Sequence, residues 1–435
     1  MKINKRFLLL LSCTLLVFLM VQCLSNNAGR GVKIISAPSD SCIVILQAED
    51  FMASSSEVPL KFYRNNTGFV KTTNGGWLSY SMDVPYDGRY QIRLFAQTAD
   101  DSKVNCWVED YVDNKDDRTF NITGNMLLKK AIDSTGFLIV EKDGSPLAKG
   151  IHNIRLHCDT GAVMIDKICF RLIKSHKNSP VVLTQKTDGS EWKMVWGDEF
   201  DGQGLPDSTK WTFDIGNWGW GNNELQYYTD KKAENARLEG GNLIIEVRKD
   251  DNGLPWSSAR LTTRGKVSFI YGKIEFRAKV PASRGTWSAG WLLGDNYVDE
   301  ISWPYCGEID VLENVGFEMD GKTGNGKTHA SVHCGAYYFK LGNQPTSITE
   351  VENMNNSFHE YTLEWLPSGM IIYIDGKKYF DYHDTSNDLT WPFNKAQNLI
   401  LNLAIGGGWG GAQGLDPAMT SQQFIIDYVR VFEKR

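Results

Sequence analysis

The 435-residue sequence is poor in cysteine, and the little it has is scattered. Cys13 and Cys23 lie near the start, while Cys42, Cys106, Cys158, Cys169, Cys306 and Cys334 are far apart, an arrangement unlike a disulfide-built scaffold that still leaves room for one or two bridges. There is no C-x-x-C pair, which removes the common zinc and dithiol redox motifs. His152, His157, His176 and His383 show no metal-ligand spacing. No run of Lys or Arg occurs and the net charge is −6, so neither nucleic acid nor an acidic polymer is the expected partner. A neutral substrate fits better. Helical periodicity is nearly absent.

The mostly apolar run from Phe7 to Met20 follows Lys2, Lys5 and Arg6 and is too short to span a membrane comfortably as a mature helix. It reads as an export signal over residues 1–22. Cys23 closes it and is followed by the polar stretch "LSNNAGR", a pattern resembling the lipid-attachment site of bacterial lipoproteins, although Gln22 is larger than the residue usual before such a cysteine. The expected location is the cell surface or outer membrane as a lipoprotein, otherwise the periplasm or the medium.

Aromatic residues are plentiful, with 14 Trp, 17 Tyr and 20 Phe, and aromatic faces stack on the apolar faces of sugar rings. Short alternating segments such as "LSYSMDVP", "RYQIRLFAQ", "NLIIEVRK" and "KIEFRAKVP" recur between clusters of Gly, Asn and Asp. They predict an all-β chain of two β-sandwiches, over residues 40–175 and 191–435, joined by a polar, proline-containing linker at 176–190.

The stretch "WPYCGEIDVLENVG", Trp303 to Gly316, carries Glu308, Asp310 and Glu313 among residues that otherwise read as a buried strand. Side chains alternate along a strand, so Glu308 and Asp310 share a face and Glu313 falls out of phase. One β-bulge restores the phase, with Leu312 as the expected extra residue. The two glutamate backbones then lie about 13 Å apart, and long side chains leaning together close most of that gap toward the about 5–5.5 Å that a retaining glycosidase needs. Such an enzyme uses one ionised carboxylate as nucleophile and one protonated carboxyl as acid. Glu308 takes the first role and Glu313 the second, while Asp310 between them hydrogen-bonds the nucleophile and helps keep the acid protonated.

Together with "MVWGDEFDG", "GNNELQYYT", "YGKIEFRAKVP", "GTWSAGWLLG", "HASVHC" and "NLAIGGGWGG", the E-x-D-x-x-E string resembles glycoside hydrolase family 16 from Trp192 to the C-terminus. The resemblance implies a jelly roll with a concave catalytic cleft. It also implies sugar contacts from Trp287, Trp291 and Trp303, glycone-side hydrogen bonds from Asn222, Asn223 and Arg260, and His333 beside the central aspartate. A structural calcium, unnecessary for the chemistry, would take Glu199, Gly241 and Asp427.

From Ile45 to Ile173 the segments "ILQAEDF", "TTNGGWLSYSMDVPYDGRYQIRLFAQ" and "GIHNIRLHCDTGAVMIDKICF" resemble a family 6 carbohydrate-binding module. That resemblance implies a calcium at Gln47, Glu49 and Asp166, and a sugar platform at Trp77 faced by Tyr63. The last loop, "DTGAV", lacks the asparagine many sugar-binding members place there. The module is expected to help hold polymer and to take no part in chemistry, so that a fragment from about Gly189 should hydrolyse short soluble oligosaccharides as well as the whole chain does.

The bulged string is shared by laminarinases, agarases and porphyranases, whereas lichenases have the shorter E-x-D-x-E. The flanking segments resemble β-1,3-glucanases, and the cleft segments offer few cations beyond Arg260, Arg264, Arg277 and Arg284, fewer than a sulfated galactan would call for. The expectation is a monomeric endo-acting β-1,3-glucanase that accepts mixed β-1,3/1,4 links. The alternatives are a mixed-linkage glucanase, an agarose-type hydrolase and a non-catalytic glucan-binding protein.

Overall fold

The computed structural model describes residues 42–55, 60–64, 67–98, 103–112, 119–128, 138–184 and 187–435. The export signal and Cys23 lie outside the described residues, as does the side chain of Tyr63. The alternation of the sequence becomes two all-β sandwiches; among the described residues, helix is limited to four short 3-10 turns.

In the N-terminal sandwich a six-stranded sheet faces a five-stranded one. The inward residues of strands such as Gly76–Val84 and Gly150–Thr160 form the core: Leu78, Tyr80, Met82, Ile154 and Leu156 are at most 2% exposed. One disulfide, Cys42–Cys169, ties the first described residue to the strand Val163–Ser175. It would constrain the unfolded chain by closing a long loop.

The C-terminal sandwich packs a nine-stranded sheet on a ten-stranded one. The strand Gln397–Ile405 shows how the first sheet is used. All of its residues are buried, yet they divide by phase: Leu399, Leu401, Leu403 and Ile405 enter the inter-sheet core, while Asn402 faces a cleft on the outer side. The neighbouring strand Thr286–Gly294 divides likewise, with Leu292 in the core and Trp287, Ala289, Trp291 and Leu293 in the cleft. Gly290 sits where a Cβ would come within 2.6 Å of the Phe276 ring, so only glycine lets the two sheets approach there.

The stretch read as a linker is not a free tether. Val181–Thr184 pairs in parallel with Val267–Ile270 at the edge of the nine-stranded sheet, and the Ser179 hydroxyl donates to Asp295 at 3.0 Å.

Candidate active site

The strand Glu308–Val315 lies between Thr286–Gly294 and Gly326–His333. Against the first, Asp310 pairs with Trp291 and Leu312 with Gly290, which leaves Val311 without a partner. Against the second, Asp310 pairs with Ser331 and Glu313 with His329, so that two residues oppose Ala330 alone. The bulge is therefore present, but the extra residue is Val311 and not Leu312. Val311 and Leu312 both enter the core with Ile309. Glu308, Asp310 and Glu313 consequently all line the cleft.

Each glutamate is held by an indole. Trp303 Nε1–H donates to Glu308 at 3.1 Å, and Trp287 Nε1–H donates to Glu313 at 3.0 Å. Asp310 is 4% exposed, and His333 Nε2 stands 3.4 Å from its Oδ2 and 3.7 Å from Glu308 Oε1. Burial pushes all three carboxyls up to about 8. For the glutamates the charge of Asp310 adds to that, while His333 and the two indoles pull the other way. Such closely spaced acids lose protons as a set, so the first ionisation leaves one carboxylate and two carboxylic acids. That is the division of labour that nucleophilic attack and proton donation require.

The cleft has a volume of about 570 Å³. On one side of the carboxylates the Arg260 guanidinium lies between the rings of Trp220 and Trp291, 4.7 and 4.8 Å from their centroids, and pairs with Asp214 at 3.2 Å. Trp291 Nε1–H donates to Asn402, whose amide donates to the Tyr228 hydroxyl, which in turn donates to Glu224. Burial pushes Glu224 up to about 7 against the hydrogen bonds from Gln226, Asn222 and Tyr228. On the other side Trp409 stands edge-on to Trp287 and His329, and the His329 ring nitrogen is fixed by Glu318 at 2.6 Å. Indole rings beside buried acids make a trough that suits a neutral sugar chain, with stacking on flat faces and hydrogen bonding at the edges.

The sequence profile of Glycosyl hydrolases family 16 matches residues 217–430. A β-glucanase of Rhodothermus marinus is 45% identical over 249 residues, covering 55% of this chain and 85% of that protein. This chain belongs to glycosyl hydrolase family 16. The X-ray structure of the laminarinase from Rhodothermus marinus superposes with a TM-score of 0.52 at 44% identity, covering 56% of this chain and 98% of that one. The structure of SCLam, a non-specific endo-β-1,3(4)-glucanase of the family, gives 0.52 at 39% identity over 58% of this chain and 94% of its own. The profile match begins beyond the N-terminal sandwich.

Within this family 16 domain, Trp287, Trp291, Trp303, Asn222, Arg260 and His333 all line the cleft with the three acids. Asn223 does not. It is exposed, with a backbone φ of 58°, a left-handed conformation that asparagine tolerates, and it serves the turn and not the cleft. Glu224, Trp220 and Trp409 were within reach of the sequence, since they stand in or beside "GNNELQYYT" and "GGGWGG".

The calcium expected in this domain does not fit the residues as they stand. Glu199 follows Asp198, which pairs with Val429, and Leu243 pairs with Ile426, so the segments carrying Glu199, Gly241 and Asp427 do meet along one strand. However, Glu199 accepts two hydrogen bonds from Arg430, at 2.9 and 2.7 Å, and Asp427 is paired with Arg277. Each carboxylate is already neutralised by a guanidinium. The N-terminal sandwich differs: Glu49 Oε2 is buried without a hydrogen-bond partner, and Asp166 is the residue skipped in the pairing with Gly88–Thr98, next to the Gln47–Lys167 pair. Asp166, however, faces Lys167 Nζ at 3.3 Å, so a hard cation there would have to displace that ammonium. Trp77 is half-buried in the strand Gly76–Val84, with the Arg155 guanidinium 4.5 Å from its ring centroid and 3.3 Å from that of Tyr111.

Proposed function

We propose that the chain is a retaining, endo-acting β-1,3-glucanase that also accepts mixed β-1,3/1,4 links. The observation that carries this is the bulge at Val311, which brings Glu308, Asp310 and Glu313 to one face between Trp287 and Trp303. Glu308 attacks the anomeric carbon and forms a C–O bond to it as the glycosidic C–O bond breaks, and Glu313 gives its proton to the leaving oxygen. Water then bonds to the same carbon and surrenders a proton to Glu313, and Glu308 departs as carboxylate. Asp310 lies on the same face between them, and the negative charge that it shares with Glu308 keeps Glu313 protonated for its role as acid.

A glucan is favoured over a sulfated galactan by the charges at the cleft. Among the described residues lining it, the Lys and Arg side chains are Arg260, already paired with Asp214, and Lys340, against five carboxyl groups. Arg264, Arg277 and Arg284 are turned to Tyr297, Asp427 and Leu415 instead. The relatives named above support the β-1,3 preference, one of them by its non-specific β-1,3(4) action. Reducing-sugar release from laminarin, barley β-glucan and agarose, compared side by side, tests the reading: laminarin should be cleaved fastest, and preferential cleavage of agarose would refute it.

The N-terminal sandwich is in our reading a family 6-like carbohydrate-binding module, supported by its fold and by the half-buried Trp77 beside Tyr111. The basic and apolar start of the chain and Cys23 support export with a lipid anchor, with the chain acting as a monomer at the cell surface.

A further inference from the structure

Part of the cleft wall comes from the other sandwich. Thr119, Phe120 and Asn121, between the strands Val104–Asp110 and Met126–Leu128, line the same cleft as Glu308 and Glu313. They are fixed in place. Phe120 is 5% exposed and its carbonyl accepts the Asp110 N–H at 3.0 Å, while Asn121 bridges Glu109. Asn121 Oδ1 accepts the backbone N–H groups of Thr123 and Gly124, at 3.2 and 2.8 Å. With that oxygen committed to the turn, the Nδ2 amide is the group left to meet a sugar hydroxyl.

The contacts behind this wall are those of a packed interface. Arg89 is 6% exposed and its guanidinium lies 5.1 Å from the ring of Trp218, itself 2% exposed, and 5.9 Å from that of Trp220. Nε and Nη2 of Arg89 are buried without a hydrogen-bond partner, and Asp143 from one sandwich and Asp214 from the other act on the guanidinium through their charge. The Tyr227 hydroxyl donates to Asp143, and Lys174 Nζ donates to the Phe213 carbonyl at 3.1 Å. Gly124 packs so closely that a Cβ would stand 3.1 Å from the Trp218 carbonyl oxygen. Trp220, braced from behind by Arg89, is the same ring that sandwiches Arg260 inside the cleft.

This end of the cleft holds Trp220, Asn222 and Arg260, on the glycone side by the family resemblance. We propose that Phe120 and Asn121, with Thr119 at the rim, form the outermost glycone subsite, so that the N-terminal sandwich helps set how many sugar units bind upstream of the cleaved bond. The inference rests on the glucanase reading above and runs against the expectation that a fragment from about Gly189 would treat short oligosaccharides as the whole chain does.

The test is the bond-cleavage pattern of the full chain and its variants on oligosaccharides of graded length, laminari-oligosaccharides in the first instance. Asn121→Asp keeps the acceptor that holds the turn and removes the donor. It should lower kcat/KM on the chains long enough to reach the wall by about three- to tenfold, the worth of a lost hydrogen bond, and move the preferred cut toward shorter glycone products. Thr119→Trp, at an exposed position, should obstruct the same subsite and move the cut in the same direction. If the wild type ignores laminari-oligosaccharides, the substrate reading fails, and the comparison is made on oligosaccharides of the polymer it does cleave. If both variants cut at wild-type positions and rates on the substrate used, the wall lies outside the path of the sugar and the inference is wrong.

Discussion

The Tyr379 hydroxyl donates a 2.8 Å hydrogen bond to the carbonyl of Val311. Tyr379 belongs to the strand Lys377–Tyr382 of the ten-stranded sheet, whereas Val311 is the bulged residue of the catalytic strand in the nine-stranded one. The opposing sheet thus supplies a partner for the bulged residue that lacks a registered partner in the ladder. Tyr379→Phe should cost about 1–3 kcal/mol of stability, the range for an unsatisfied buried acceptor, and lower kcat by loosening Glu313. Chemical denaturation together with kcat on laminarin measures both effects; unchanged values would show that the bulge holds itself.

Glu308→Gln should abolish turnover while substrate binding persists, because the amide keeps the shape and cannot attack. Glu313→Ala differs in kind. It should lose about 10²–10⁴ in kcat on glucan, the usual contribution of general acid catalysis, yet spare aryl glycosides whose leaving group needs no proton, with azide partly restoring activity on them. Wild-type rates in both variants would mean that the catalytic strand is misassigned.

Deleting Val311 removes the residue that the pairing skips and leaves Asp310, Leu312 and Glu313 in regular alternation, with both acids still on the cleft face. Activity on laminarin should fall, since the Tyr379 contact is lost, but persist; complete loss in a folded variant would show that Glu313 has left the cleft face. Circular dichroism of the variant separates loss of phase from loss of fold.

The charge of Asp310 raises both glutamates, second only to burial. Asp310→Asn should therefore move both limbs of the pH–rate profile of kcat/KM to lower pH: the acid limb follows ionisation of the nucleophile, the alkaline limb loss of the proton from Glu313. Stability follows the same linkage with a definite sign. Acids raised to about 8 in the folded state stabilise it fully below their unfolded values and lose that contribution as pH rises toward 8. The melting temperature of Asp310→Asn should gain on the wild type between pH 5 and pH 8; a constant difference would contradict the shifts.

Trp77→Ala in the full chain should weaken retention in gels containing laminarin by about tenfold, by loose analogy with ring stacking in nucleic-acid binders, and leave rates on short oligosaccharides alone. Equal mobility in every β-glucan tested would assign Trp77 to packing with Arg155.

The sequence by itself determined the β class, the two sandwiches, and the shared face of Glu308, Asp310 and Glu313, because side-chain alternation has a fixed period and three acids among apolar residues need a common exit from the core. The resemblance to family 16 marked Trp287, Trp291, Trp303, Arg260 and His333, and the fold brings them to the cleft. Which residue bulges was beyond the sequence. Parity requires one extra residue between Asp310 and Glu313, but only the register with Thr286–Gly294 chooses Val311 over Leu312. Asn223 was misread because a turn residue's direction depends on backbone dihedrals, and neighbours in a string can face opposite ways. The wall at Phe120 and Asn121 left no signal in the sequence, since the packing of Arg89 on Trp218 and of Gly124 on its backbone is a surface match between segments far apart in the chain. Only tertiary structure, which decides which surfaces meet, could place a residue of one sandwich in the cleft of the other.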